Sequence, residues 1–384
     1  MKTATVTWIT YNNYGTELQA YSLQRFLINN GIDNIIISDK EIIPYRIEKS
    51  KFFDTKILKE KELFFPKRIL SLLYVAKRNF RYRYYINSQK KFEKFKKRNL
   101  KIDFCYSREK METLNEKFDC FICGSDQVWS VADINFDGFF FLNFVNKKKI
   151  AYAPSMGTAS IPITKQEQIK KWLSDFYGIS VREKQTRDEL TQILKKDVAW
   201  VCDPTLLNDK LFWQNIAKKA TLKSKSKFVV CYFLENKDWY YKYAKEYCNR
   251  NNFKMIIIPN KMEYCDQEEV YKGRVGPLEF ISLIQHSEYV ITDSYHGLLF
   301  SLIFEKQFSI LKRFNDSAYN SQNIRIYSIL EYLDLINILI SEENYKYYNN
   351  EMIDYDIVTN KINKFREFSR QWLLGKLDYE NNKK

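Results

Sequence analysis

The stretch from Glu288 to Phe304 constrains the fold more than any other. Tyr289-Val-Ile-Thr292 is a short β-favouring apolar run, of the kind that forms a parallel strand buried on both faces. It breaks at Asp293-Ser-Tyr-His-Gly297 and resumes as a second apolar run, Leu298 to Phe304, which reads as the start of a buried helix. A strand that ends in polar residues and turns into a helix is the repeating unit of α/β folds. Ligands gather there, where strand carboxyl ends meet helix amino ends and unpaired helix N–H groups attract anions. His296, one of only two histidines in the chain, stands at that turn.

The same alternation runs through most of the chain. Residues 3–10 read as a strand, 11–16 as a turn and 17–30 as a helix, followed by a strand at 35–38. That opening sets Asn12, Asn13 and Gly15 at a helix amino end over the sheet edge, with Gly15 expected at a positive φ. A strand at 118–123 delivers Gly124-Ser-Asp-Gln-Val-Trp129, whose Ser125, Asp126 and Gln127 suit sugar hydroxyls or a helix cap. Trp129 is either a stacking face for a pyranose or plain core. The strand at 178–182 carries Arg182, which is costly to bury alone. It pairs with a neighbour such as Glu183 or waits for an anion.

Asp203-Pro-Thr-Leu-Leu207 closes a first Rossmann-like domain, residues 1–207, and the alternation restarts over 208–350. The second domain places Lys312 at the end of a strand, Gln307 to Lys312, and Arg325 in the polar segment 313–325. Residues 351–384 form a terminal helix that packs back across the domains, with Gly375 as its expected stop. The fold class is therefore α/β, two Rossmann-like domains facing a cleft, with a basic helical insertion at about 41–100 in the first.

That insertion holds most of the uneven charge. The chain carries a formal net charge of +15, and residues 59–98 alone contain 14 Lys/Arg against 3 Glu. The segment is a solvated helical face or a docking surface for an anionic membrane or a polyanionic glycan carrier. No nucleic-acid motif accompanies the charge. Cys120-Phe-Ile-Cys123 has a CxxC spacing inside a strand, which reads as two strand residues facing opposite ways. No second cysteine pair or histidine cluster completes a metal site, so no metal is expected. Met1 to Thr10 reads as a strand and not as a secretion signal, and no apolar run is long enough to span a bilayer. The chain is expected in the cytoplasm, peripheral at the inner face of the membrane if residues 59–98 dock there.

Several of these stretches together resemble the polysaccharide pyruvyl transferase family. The matches are Asn13-Tyr-Gly-Thr-Glu-Leu-Gln-Ala-Tyr21, Gly124-Ser-Asp-Gln-Val-Trp129, Ser180-Val-Arg-Glu183, Asp203-Pro-Thr-Leu-Leu207, Gly276-Pro-Leu-Glu-Phe280 and Thr292-Asp-Ser-Tyr-His-Gly297. They fall in family order over roughly residues 5–330. The resemblance implies a glycosyltransferase-B-like fold and transfer of a pyruvyl group from phosphoenolpyruvate to two hydroxyls of one sugar, forming a ketal. The acceptor would be a sugar of a surface polysaccharide or its lipid-linked precursor.

On that reading phosphoenolpyruvate is the donor substrate and no cofactor is needed. A general acid/base and an anion clamp suffice. His296 is the candidate acid/base or phosphate contact, and Asp293 orients it, takes a hydroxyl proton or caps the helix. Arg182, Lys312 and Arg325 are the candidate cations. Ser294 and Gly297 lie at the helix amino end, and Asn13, Gly15, Ser125, Asp126 and Gln127 line the cleft. Several branches of the family carry an arginine two residues before the histidine, where this chain has Ser294. The alternative is a glycosyltransferase that uses a nucleotide-sugar donor on the same scaffold.

Overall fold

A computed structural model of the chain describes residues 1–38, 40, 65–103, 107–131, 136–158, 160–220, 226–261, 264, 266–316, 321–348 and 351–378, with 65–72 as backbone only. Most of the first half of the expected insertion, residues 41–64, lies outside the described residues, as does Asn320 of the 313–325 segment.

Seven parallel strands form the first sheet: β1 (Lys2–Val6), β2 (Asp33–Ile37), β3 (Ile102–Asp103), β4 (Cys120–Cys123), β5 (Lys148–Ala151), β6 (Gly178–Val181) and β7 (Ala199–Trp200). Their order is β3-β2-β1-β4-β5-β6-β7. The second sheet, also parallel, has the order β12-β11-β10-β8-β9. Its strands are β8 (Phe228–Tyr232), β9 (Lys254–Ile257), β10 (Tyr289–Thr292), β11 (Gln307–Leu311) and β12 (Leu339–Ile340). Both orders reverse direction once, between β1 and β4 and between β8 and β10. At such switch points neighbouring crossovers leave on opposite faces and open a crevice at the strand carboxyl ends.

The helices, in chain order, are α1 (Tyr14–Asn29), α2 (Phe65–Arg81), α3 (Arg83–Asn99), α4 (Ile163–Leu173), α5 (Lys184–Leu194), α6 (Pro204–Leu207), α7 (Lys210–Ala217), α8 (Asp238–Asn251), α9 (Pro277–His286), α10 (Tyr295–Ile303), α11 (Ile324–Tyr332) and α12 (Tyr355–Lys376). Strands β4, β6 and β10 are buried at every position because helices cover both faces of each sheet. This arrangement places Cys120 in the core on one face and Cys123 in the core on the other. Burial pushes the Cys120 thiol up to about 12 and the Cys123 thiol well above its ordinary value, so both stay unreactive.

One apolar cluster reaches from the first sheet to the second through α1, α9, α10 and α12. At its centre the Tyr14 ring stacks on Phe280 at 4.6 Å, edges onto Tyr232 at 5.5 Å and leans on Phe92 at 4.7 Å. Helix α12 crosses back to the first domain. There the Cys202 amide donates to Ser369 Oγ, and Arg366 and Arg370 donate to the Leu206 and Leu207 carbonyls. The helix runs through Gly375 to Lys376, so that glycine is not the stop. The left-handed residue comes later, at Asp378.

The insertion differs from its sequence reading in one respect. Phe92 and Phe95 pack inward and Lys94 and Lys97 face water, as a solvated helical face requires. Lys96, however, is buried. Its ammonium lies 2.8 Å from Asn12 Oδ1, 2.8 Å from Glu93 and 3.7 Å from the fully buried Glu17. Burial pushes the Glu17 carboxyl up, and Lys96 pulls it back. Lys96→Glu should therefore cost about 3–5 kcal/mol of unfolding free energy by leaving like charges in the core. Lys94→Glu and Lys97→Glu should each stay within about 0.5 kcal/mol. Urea unfolding of the three variants separates the two cases.

Candidate active site

The loops after β1, β4, β6, β7 and β10 converge where the sheets face each other. Helix α1 starts at this point because Asn13 turns its side chain onto the first free amides, with Oδ1 accepting from Gly15 N at 2.9 Å and Thr16 N at 3.2 Å. Gly15 has no positive φ, contrary to its sequence reading. It is needed for a different reason: a Cβ built there would stand 2.0 Å from His296 Nδ1. The imidazole of the second domain lies directly on the first turn of the first domain's opening helix.

Asp203 joins the two halves. Its Oδ1 caps α6, accepting from the Thr205 amide at 2.9 Å and the Thr205 hydroxyl at 2.8 Å. Its Oδ2 accepts from Arg182 Nη1 at 2.7 Å, and His296 Nε2 stands 3.5 Å away. Burial alone would raise the Asp203 carboxyl, but His296 and Arg182 override it and hold the group well below the usual carboxylate range. Asp203 was legible only as the end of a domain, yet it is the carboxylate facing His296.

Asp293, expected to orient His296 or cap its helix, does neither. It accepts from the Leu234 and Glu235 amides at 2.6 and 3.0 Å, fixing the loop after β8. Burial raises its carboxyl to about 6, against Arg313 and those two amides, which lower it. The cap of α10 is Ser294, whose Oγ accepts from Gly297 N at 3.3 Å, so that amide is already engaged. Gly297 is small because Thr292 Oγ1 would stand 2.6 Å from any Cβ.

Three guanidiniums crowd this region. Arg182 is fully buried, 4.5 Å from the Tyr295 ring, with Glu183 3.6 Å from its Nε and Asp126 4.0 Å from its Nη2. Arg325 lies 5.9 Å from the same ring. Arg325 and Arg313 both donate to Gln322 Oε1, at 2.8 and 2.6 Å. One amide oxygen thus bridges two like charges. Burial, and then the repulsion of Arg182 and Arg313, drops the Arg325 guanidinium to about 9, far below its ordinary value. Arg182 Nε and Nη2, Arg313 Nε, Gln127 Nε2 and His296 Nε2 are all buried without a hydrogen-bond partner. Both Glu183 carboxylate oxygens are orphaned in the same way, so unmet donors and acceptors lie side by side here.

The remaining candidates divide. Asp126, at φ +78°, accepts from Thr16 Oγ1 at 2.6 Å and so ties α1 to the loop after β4. Ser125 donates to the Ala153 carbonyl at 2.8 Å and is fully buried, which leaves it no hydroxyl for a sugar. Lys312 pairs with Asp316 at 2.5 Å, outside the arginine group. Trp129 stacks on Phe141 at 5.0 Å within the core and is not a sugar platform. His286 turns Nδ1 to the Ser282 carbonyl at the end of α9. Sequence reasoning missed Arg313 and Gln322, for which only a polar segment signalled.

Comparison with known proteins fits this geometry. The family model described as polysaccharide pyruvyl transferase matches residues 13–313, which span every residue of the site except Gln322 and Arg325. No curated protein matches the chain in sequence. Among solved structures, the UDP co-structure of S. aureus MnaA is similar with a TM-score of 0.53 at 11% identity, over 99% of this chain and 97% of that one. The UDP-GlcNAc 2-epimerase of Neisseria meningitidis, bound to UDP-GlcNAc, gives 0.46 at 12% identity, over 98% and 100%. The first of these likenesses concerns the fold, two Rossmann-like domains in a glycosyltransferase-B-like arrangement.

Proposed function

The chain belongs to the polysaccharide pyruvyl transferase family, and on that premise we propose that it moves the pyruvyl group of phosphoenolpyruvate onto two hydroxyls of one sugar. The observation that carries this reading is the pair Arg313 and Arg325, two guanidiniums that share the Gln322 amide oxygen and, among the described residues, have no carboxylate within ion-pair distance. Phosphoenolpyruvate is a small dianion or trianion with a carboxylate and a phosphate, and planar guanidiniums match both groups with paired N–H donors. Arg313 and Arg325 supply the charge that Ser294 lacks.

The reaction then divides among these residues. A proton passes to the methylene carbon of the enol, and a sugar hydroxyl bonds to the adjacent carbon. A second hydroxyl of the same sugar attacks that carbon as the C–O bond to phosphate breaks, giving the ketal and inorganic phosphate. His296, held against Gly15 and facing Asp203, is the proton carrier. Asp293, with its carboxyl raised to about 6, is ionised at neutral pH and basic enough to take a hydroxyl proton. Calorimetric titration should show phosphoenolpyruvate bound by the wild type and at least tenfold more weakly by Arg325→Gln. Binding of UDP in its place, with none of phosphoenolpyruvate, would move the chain to the nucleotide-sugar reading.

The sugar is carried on a lipid in this proposal, and the insertion meets the membrane. Helix α2 exposes Leu73, Tyr74 and Phe80 beside Lys77, the mixture of apolar and basic side chains that suits an anionic headgroup layer. Among the described residues no helix is long and apolar enough to cross a membrane. Binding to vesicles containing phosphatidylserine should fall severalfold from 50 to 300 mM salt and after Leu73→Glu/Phe80→Glu. Binding indifferent to both would remove the membrane from the proposal.

A further inference from the structure

A cavity of about 200 Å³ lies beside the arginine site, and nothing described so far uses it. Its walls come from three places: Tyr11 to Tyr14 before α1, Gln89 and Phe92 on α3, and Tyr232, Leu234, Asn260 and Lys261 at the carboxyl edge of the second sheet. It is far larger than the roughly 10–15 Å³ that a single water needs. We propose that this cavity is the acceptor subsite, which holds one neutral pyranose ring of the sugar to be modified. The inference rests on the pyruvyl-transfer reading above.

The position suits an acceptor. The loop that forms one wall runs straight into Gly15, which carries the His296 ring. Leu234 of the opposite wall donates its amide to Asp293. A sugar in the cavity would rest on the two loops that touch the groups assigned to move protons.

The chemistry of the walls suits a polyol. Asn260 donates Nδ2 to the Phe233 carbonyl at 2.8 Å, which fixes the amide, and its Oδ1 is buried with no partner. That oxygen can accept from a hydroxyl. Gln89 accepts through Oε1 from Asn12 Nδ2 at 3.0 Å, and Asn12 is held in turn by Lys96 at 2.8 Å. Gln89 lines the cavity with its carbonyl oxygen already engaged, which leaves its amino group as the polar atom it can offer. Two amides on facing walls, with the half-buried Tyr11 beside them, suit hydroxyls and a C–H face together. Among the described residues no arginine lines the cavity, and the one cation in its wall, Lys261, stands 3.7 Å from Glu235. A neutral ring is favoured over a second anion. Because α3 supplies Gln89, the insertion helps to choose the sugar.

The test uses methyl α- and β-pyranosides of glucose, galactose, mannose and N-acetylglucosamine, read by saturation-transfer difference NMR on the whole chain. At least one glycoside should receive saturation from the wild type. Gln89→Met and Asn260→Leu should each weaken it about tenfold, while phosphoenolpyruvate affinity on the same samples stays within twofold. No saturation from any glycoside with the wild type overturns the assignment, as does a wild-type signal in Gln89→Met. Failure of phosphoenolpyruvate to bind the wild type would overturn the donor reading alone, since the glycosides report independently.

Discussion

Arg182→Ala is expected to lower the unfolding free energy by about 3–5 kcal/mol at neutral pH and to abolish phosphoenolpyruvate binding. The guanidinium is fully buried among Asp203, Glu183 and Asp126, and its removal takes away the ion-pair partner of Glu183 and leaves Asp203 with His296 alone. The pH dependence gives the sharper check. In the wild type the Asp203 carboxyl is depressed, so its contribution is present above the unfolded value of about 4 and lost as pH falls through the folded one. Without Arg182 the Glu183 carboxyl, already raised by burial, rises further, and Asp203 keeps only His296 and its cap against its own burial. The variant then loses stability as pH rises and recovers part of it on acidification. Urea unfolding at pH 5 and pH 8 should show a smaller gap between variant and wild type at pH 5. An equal gap at both would mean that packing, and not charge, sets the cost.

The second large effect falls on turnover. His296→Ala should lower kcat by about 10²–10⁴-fold, the usual range for losing a proton carrier, while phosphoenolpyruvate affinity changes far less. Gly15→Ala should approach the same loss without touching the imidazole, because its methyl would stand 2.0 Å from Nδ1. The pair forms a cycle. Gly15→Ala should cost about 1–3 kcal/mol of stability in the wild type and little once His296 is alanine. Equal costs in both backgrounds would place the strain in the α1 backbone and cancel the geometric argument.

How far the site could be read beforehand follows from what local pattern encodes. The alternation of short apolar runs and polar turns placed Arg182 at a strand end and His296 at a strand-to-helix turn; Arg182 directly follows β6, and His296 lies in the first turn of α10. The pairing of charges across the two halves was not legible. Asp203 sits behind a proline at a helix cap, a local explanation that conceals its second oxygen's contact with Arg182. Asp293 sits three residues before His296, which suggested a partnership, but the turn sends its carboxylate across to the β8 loop instead. Lys96 lies in a run of basic residues whose neighbours face water, and only the three-dimensional position of Glu17 explains why it alone turns inward. Gly15 looked like a turn glycine because the histidine that needs its missing side chain is far away in sequence.

The aromatic seam of Tyr14, Phe92, Tyr232 and Phe280 has a kinetic meaning. Two-lobed enzymes that close on their ligand must spend part of the binding energy on swinging the lobes together, and the open and shut forms then exchange during each cycle. Here the lobes already share a packed interior, so opening them would expose a core. His296 and Asp203, which stand face to face across that interior, are therefore costly to part.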